Sequence, residues 1–566
     1  MDLTSVVDLA GRRRARQPVL LELDLSRGLL ETGPADPLSA LRARGIPTLR
    51  GLVEQLRRAT DHDQVVGLVA QVSGDALTPS QADELAEAVE SFAASGRATV
   101  AWTESFGEMG AGTTAYRLAV AFDTIWMQPS GQLGLTGVAT RGVFLRGLLD
   151  RLGVEPQIGQ RHEFKNAGDM FMRSSMSDAQ REALQQLTSS LLDTVVATTA
   201  RRRGRTAEQV RAAVDAAPLG AQQALDAGLV DRLGYRDEVY GDLRERLGSG
   251  GRLTVRYVHR WSPPGPALVR ERARQRRRPV VAIVPVVGGI GLGRSGAGPT
   301  GGRRSGSDSV CAALREAGRR ADVGAVVLRV VSPGGSYVAS DAVRREVLQL
   351  RASGRPVVAS MGTVAASGGY FVAMPCDEVV ATPSTVTGSI GVLAGKVAVG
   401  AALQRLGIAV EPVGAGQQAT MFSTDTPFSA EQWQRLDGWL DEVYDDFTRK
   451  AAEDRGMAHG ELEPLARGRV WTGADALERG LVDRLGGLRT AVDSAARRAG
   501  LSADEVQVQA LPHANPLERL RLPDSSESTT TALPSSSGLS GAEWLLAAAG
   551  LAPAGVLSLP GPWDVR

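Results

Sequence analysis

The residues with chemistry to offer sit in two glycine-rich stretches of the C-terminal half. One reads Arg329-Val330-Val331-Ser332-Pro333-Gly334-Gly335-Ser336, the other Gly362-Thr363-Val364-Ala365-Ala366-Ser367-Gly368-Gly369-Tyr370. In the second, a hydroxyl stands among small residues where an apolar strand should turn into a helix. Glycine lets the backbone bend sharply and lets a substrate come close. A helix beginning near Gly368 aims free N–H groups at developing negative charge, and Gly334 or Gly335 could add another N–H to the same oxyanion hole. Tight helix–strand packing explains such a turn equally well when it stands alone.

A nucleophilic serine needs a base. Of 64 Lys plus Arg, only Lys165, Lys396 and Lys450 are lysine. Arginine holds its proton, whereas a buried lysine can release one. Lys450, in Thr448-Arg449-Lys450-Ala451, reads as a surface residue of a polar helix. Lys396, in Leu393-Ala394-Gly395-Lys396-Val397, lies in the serine's own half; it is a rival base, or a lysine snorkelling from an apolar edge. Lys165 lies in the other half, in Gly159-Gln160-Arg161-His162-Glu163-Phe164-Lys165-Asn166-Ala167-Gly168-Asp169.

The two halves are copies. Ala224-Leu225-Asp226-Ala227-Gly228-Leu229-Val230-Asp231-Arg232-Leu233-Gly234 recurs as Ala476-Leu477-Glu478-Arg479-Gly480-Leu481-Val482-Asp483-Arg484-Leu485-Gly486, 252 residues on. Tyr116, Asp123, Pro129 and Gly134 recur as Tyr370, Asp377, Pro383 and Gly388, 254 residues on. This alignment sets Thr113 against Ser367 and Val72-Ser73-Gly74-Asp75 against the Ser-Pro-Gly-Gly loop. The stretch matching Lys165, Gly414 to Phe422, has no lysine; Ala419, Thr420 and Met421 stand there. A duplicated chain that keeps a serine in one copy and a lysine in the other reads as a dyad split across a domain interface.

Each copy alternates strands and helices. Val65 to Val72 and Val323 to Val331 read as strands buried on both faces. Helical patterns follow at Pro79 to Ala93 and Ser340 to Leu350, then strands at Ala98 to Trp102 and Pro356 to Ser360. Such alternation predicts α/β modules with mostly parallel sheets.

Together, Ala-Ala-Ser-Gly-Gly-Tyr at 365–370, Ser-Pro-Gly-Gly-Ser at 332–336, Thr-Gly-Ser-Ile-Gly-Val at 387–392 and Lys-x-Ala-Gly-Asp at 165–169 resemble the long form of the signal peptide peptidase A family. The resemblance covers roughly residues 18–500. It implies an α/β fold made by tandem duplication of a Clp-protease-like (crotonase-like) domain, and a serine peptidase acting on remnant signal peptides or other short apolar peptides. It further implies Ser367 as nucleophile, Lys165 as general base, Ser389 orienting the lysine amine, and a homotetrameric bowl. Val331 departs from the family, which usually has Asn before Ser-Pro-Gly-Gly. Other occupants of such a fold would be an acyl-CoA enzyme or an inactive assembly protein.

Bulk properties fit this reading. A chain of 566 residues exceeds one hydrophobic core. The boundaries expected are a lysine-bearing domain at 1–255, a linker at 256–279, a serine-bearing domain at 280–510 and a Ser/Thr/Pro-rich, disordered tail at 511–566. The net charge of +1 gives no support to a nucleic-acid partner, and the Arg276-Arg277-Arg278 run reads as solvated linker. Cys311 and Cys376 read as buried apolar residues, and five scattered histidines predict neither metal nor cofactor. Met1 to Pro18 reads as neither signal peptide nor membrane helix. The apolar run Trp544 to Leu559 is shorter than the ~20 residues of a spanning helix. It reads as a peripheral membrane contact or a helix docked on the protein's own surface, and the chain as cytoplasmic or peripherally membrane-associated.

Overall fold

The computed structural model describes residues 17–26, 28–33, 45–73, 77–248, 252–263, 265–275, 277–297, 303–512 and 557–558. The expectations for the first sixteen residues and for most of the tail lie outside these.

The first half builds a six-stranded sheet from β1 (Val19–Asp24), β2 (Val65–Gln71), β3 (Ala98–Thr103), β4 (Thr124–Met127), β6 (Arg232–Leu233) and β7 (Thr254–Tyr257); β5 (Glu155–Gln160) lies outside it. Its order is β6-β4-β3-β2-β1-β7, parallel throughout. The second half repeats that order with β17 (Arg484–Leu485), β13 (Glu378–Ala381), β12 (Val357–Ala366), β10 (Val323–Ser332), β8 (Val280–Val287) and β18 (Gln507–Ala510). Strands such as β2, of sequence VVGLVAQ, are buried on both faces, as parallel strands under helices must be. Apolar clusters fill both faces of each sheet.

The duplication extends to single hydrogen bonds. Tyr116 donates its hydroxyl to the Leu229 carbonyl at 2.7 Å, and Tyr370 donates to that of Leu481 at 3.0 Å. Each half carries a 26-residue helix, α2 (Asp178–Arg203) and α4 (Ala430–Arg455), which follow α1 (Pro79–Ala93) and flank α3 (Gly368–Ala373) in the chain. Both long helices begin on a serine cap and end on a left-handed glycine, Gly204 or Gly456, the turn that glycine adopts without strain.

Two of the expected boundaries move. The first sheet takes in β7 as far as Tyr257, and Val258 and Trp261 are packed in its core, so the first domain passes residue 255. At the other end Leu511 is buried and donates its N–H to the Ile283 carbonyl, one residue beyond 510. Within the expected linker, Gly265–Gln275 is helical.

The halves dock along several seams: α2 packs Leu187 and Leu191 against Val386 and Val470, and two further seams frame the site. Helix α1, capped by Thr78 with Pro79 in its first turn, sends Ser80, Asp83, Glu84 and Glu87 to Thr382 and to the backbone of Ser384, Leu488 and Gly487. There Arg329 of β10 is buried between Glu31 and Glu84 of the first half, at 2.6 and 2.5 Å. The second seam is a strand pair: β5 runs antiparallel to β15 (Leu393–Ala398), with Gln160 opposite Leu393 and Glu155 opposite Ala398.

Candidate active site

Strand β12 changes neighbours along its length. Val358 to Met361 pair with β13, while Val364 to Ala366 pair with β14 (Val386–Gly388). Ser367 follows at the end of the strand and caps α3 with φ 55° and ψ −115°. A non-glycine residue at positive φ is costly and marks a site where surrounding structure holds the strain. The holders are visible: Ser367 N–H donates to the Gly388 carbonyl at 2.8 Å, and Phe371 N–H donates to the Ser367 carbonyl at 2.9 Å. In the first half, Thr113 lies within its helix behind Gly112, has no positive φ, and gives its hydroxyl to the Gly137 carbonyl.

Lys165 arrives from the first half. The β5–β15 pairing fixes the segment that leads to it, and two glycines of the second half make room. A Cβ on Gly468, at φ 83°, would lie 2.4 Å from Lys165 N; one on Gly391 would lie 3.2 Å from Lys165 Cδ. The side chain is 1% exposed, and its Nζ is 2.8 Å from Ser367 Oγ, 3.0 Å from Ser389 Oγ and 3.1 Å from the Ser389 carbonyl oxygen. Ser389 also has positive φ, 50°, held by its N–H to the Arg469 carbonyl at 2.7 Å.

All three partners of the amine are uncharged oxygens. Burial therefore acts unopposed and lowers the Lys165 pKa from 10.5 to about 7. The two serines expected beside Lys165 thus both lie within hydrogen-bonding reach of its amine. A neutral amine has two N–H donors and one lone pair. Ser389 offers two acceptors, leaving the lone pair for the Ser367 hydroxyl.

The glycines are adjacent to this triad. β10 runs into β11 (Gly334–Gly335), and a Cβ on Gly368 would sit 3.1 Å from Gly335 N and 3.2 Å from Gly334 Cα. The Gly334 N–H donates to Ser332 Oγ at 3.1 Å. A cavity of about 30 Å³ is lined by Phe164, Lys165, Asn166, Gln180 and Ser389 among others. Gln180 Oε1 is buried there without a partner.

The rival lysine is elsewhere. Lys396 Nζ donates to the Met421 carbonyl at 2.9 Å and stands 4.4 Å from the Phe428 ring centre. Lys450 is less exposed than its polar helix suggested: it pairs with Asp341 and Asp446 at 2.7 Å and lies over the rings of Tyr337 and Phe371. Sequence reasoning gave no role to Gly391, within the 387–392 motif, and did not find Gly468, because the segment they admit comes from the other half. Among the described residues no group of His, Cys, Asp and Glu could hold a metal ion, and no helix is long and apolar enough to cross a membrane. Cys311 and Cys376 are free and buried.

A doubled parallel-sheet fold with its serine on a strained strand-to-helix turn defines the class, a serine peptidase of tandem α/β build. The chain belongs to Peptidase family S49, which residues 92–249 and 349–502 match. It is 32% identical over 469 residues to Protease 4 of Salmonella typhi, covering 80% of this chain and 72% of the relative. To the chloroplastic serine protease SPPA of Arabidopsis thaliana it is 29% identical over 465 residues, 80% of this chain and 66% of the relative. Among solved structures, the 1510-N membrane-bound stomatin-specific protease aligns over 42% of this chain and 95% of its own, at 14% identity and a TM-score of 0.26.

Proposed function

We propose that the chain hydrolyses peptide bonds with a Ser367–Lys165 dyad, on remnant signal peptides or other short apolar peptides. The observation that carries this is the buried amine 2.8 Å from Ser367 Oγ, with a pKa of about 7. Near neutral pH roughly half of such amines carry a free lone pair. The amine takes the hydroxyl proton as Oγ attacks the peptide carbonyl carbon. The resulting ammonium then has three oxygens to receive its three N–H groups, and it donates one proton to the leaving amine. Water, deprotonated by the same amine, attacks the acyl-enzyme and releases the second product.

The tetrahedral oxyanion is assigned to the backbone N–H groups of Gly368 and Gly335. Gly334 has its own N–H committed to Ser332, and supplies instead a left-handed turn at φ 105°. Ser389 orients the amine. The chemistry as written needs no metal and no cofactor.

The expected homotetramer has support in the internal symmetry. Moving the β5–β15 pair by the 254-residue repeat gives 409–414 and 139–144, two segments with no strand partner among the described residues and largely exposed, with Val413 at 100% and Val143 at 60%. Copies joined head to tail would pair them, and such a contact gives a ring when its rotation closes after four copies. Peripheral membrane association remains part of this reading through the substrate class.

A fluorophosphonate probe tests the reaction. Mass mapping should place a single adduct on Ser367 and none in Ser367→Ala. An adduct on another serine would overturn the assignment.

A further inference from the structure

Among the described residues, strand β11 has a neighbour from its own domain on one side only. Gly335 pairs in parallel with Ile290 of Gly289–Gly291. On the other side are Leu557 and Ser558, which form a short strand, the rest of the apolar run Trp544 to Leu559 lying outside the described residues. They run antiparallel to β11, with Ser558 opposite Gly334 and Leu557 opposite Gly335. These are the glycines that lie against the Ser367 turn. Having no side chains, they leave a bare edge that a second backbone can approach, and an edge strand takes up extended peptides by main-chain hydrogen bonds.

An acyl donor must lie extended along this edge for its carbonyl to come over Ser367. We propose that the segment around Leu557–Ser558 is a built-in ligand of the substrate strand, and that it competes with peptide substrates for it. This rests on the reading of Ser367 as nucleophile. It also gives the ligand's chemistry, because the tail carries no charge between Glu543 and Asp564 and around the strand reads Ala554-Gly555-Val556-Leu557-Ser558-Leu559. The strand takes an extended, uncharged segment of aliphatic and small residues. The glycine edge reads backbone, and a charged segment would have to shed its hydration there.

Tethering sets the size of the effect. A local tail concentration of ~1 mM, against ~0.1 mM affinity for a short peptide, keeps about nine tenths of the strands occupied. A competitor of this kind raises KM on the order of tenfold and leaves kcat unchanged.

The test compares the full chain with the full chain carrying Leu557→Pro and Ser558→Pro, which removes both N–H donors of the tail strand. With a fluorogenic aliphatic peptide, the double variant should show KM lowered about tenfold at the same kcat. A synthetic peptide of residues 551–563 should raise it again in a competitive pattern. Equal KM values, with no competition by the peptide, would overturn the proposal. Hydrogen exchange in the Ser367→Ala background decides independently of turnover. The Gly335 amide, whose residue pairs with Leu557, should exchange more slowly with the native tail than with the two prolines, whereas that of Gly334, bonded to Ser332 Oγ, should not change; equal rates at Gly335 would overturn the occupancy. If neither chain hydrolyses peptides while exchange shows the protection, the serine reading fails and the docked tail stands.

Discussion

Ser389→Ala removes one of the three oxygens around the Lys165 amine and leaves the Ser389 carbonyl at 3.1 Å and Ser367 Oγ at 2.8 Å. The lost bond matters most when the amine is an ammonium, which has three N–H groups to satisfy. A hydrogen bond to a charged group is worth about 1.5–3 kcal/mol. The ammonium is formed in the step that attacks substrate, so the plateau of kcat should fall on the order of 10- to 100-fold with KM little changed. The same loss destabilises the ammonium of the free enzyme, so the Lys165 pKa should drop below about 7. The variant is therefore slower at pH 8, yet its acidic limb lies at lower pH than that of the wild type. Steady-state kinetics from pH 5 to 9 would show both. An unchanged plateau, or a limb displaced to higher pH, would refute the reasoning.

Three further outcomes follow from the packing. Lys165→Met should abolish activity yet stabilise the fold, because the burial that lowers this amine's pKa from 10.5 to about 7 costs on the order of 4 kcal/mol at pH 7. With its pKa lowered by folding, the lysine leaves stability lowest below about pH 7 and restores it as pH rises toward 10.5. The methionine variant's gain in urea midpoint should accordingly shrink between pH 7 and 10, and a gain independent of pH would count against a buried, titrating amine. Arg329→Met leaves Glu31 and Glu84 without their shared cation and should cost about 3–5 kcal/mol in urea unfolding; a loss under 1 kcal/mol would show that the α1 seam does not depend on this ion pair. Val413→Asp, at a fully exposed valine, should shift light-scattering mass toward the monomer without altering the monomer's stability, and an unchanged mass would remove 409–414 from the subunit contact.

The fold was legible because a duplication is visible in sequence. Matching segments at offsets of 252 and 254 residues predict two modules in the same order, and β2 and β10 are apolar on both faces as buried parallel strands are. Comparing the halves also isolated Ser367 and Lys165, since each has no equivalent in the other copy. What the sequence did not disclose depends on the meeting of distant segments. Gly391 and Gly468 look like ordinary loop glycines until Lys165 is packed against them. Lys396 looked like a base or a snorkelling chain, because the Met421 carbonyl and Phe428 ring that hold it come from a loop 25 and 32 residues further on. Arg329 stands two residues before the departure at Val331, and nothing local predicts its partners Glu31 and Glu84. The tail strand at Leu557–Ser558 lay inside a run whose apolar length suggested a helix; its pairing with β11 spans more than 200 residues of chain.

The central claim is that a desolvated Lys165 amine removes the Ser367 proton, and the pH dependence of covalent labelling measures it most directly. Fluorophosphonate labelling of Ser367 needs that proton removed but needs no leaving group protonated by the enzyme and no water. In the wild type, the second-order labelling rate should rise tenfold per pH unit in acid and level off above an apparent pKa near 7. Lys165→Arg keeps the positive charge but not the releasable proton, and should label at least 100-fold more slowly with no step near that pH. Wild-type-like labelling in Lys165→Arg, or a wild-type rate still climbing toward pH 10, would contradict the account.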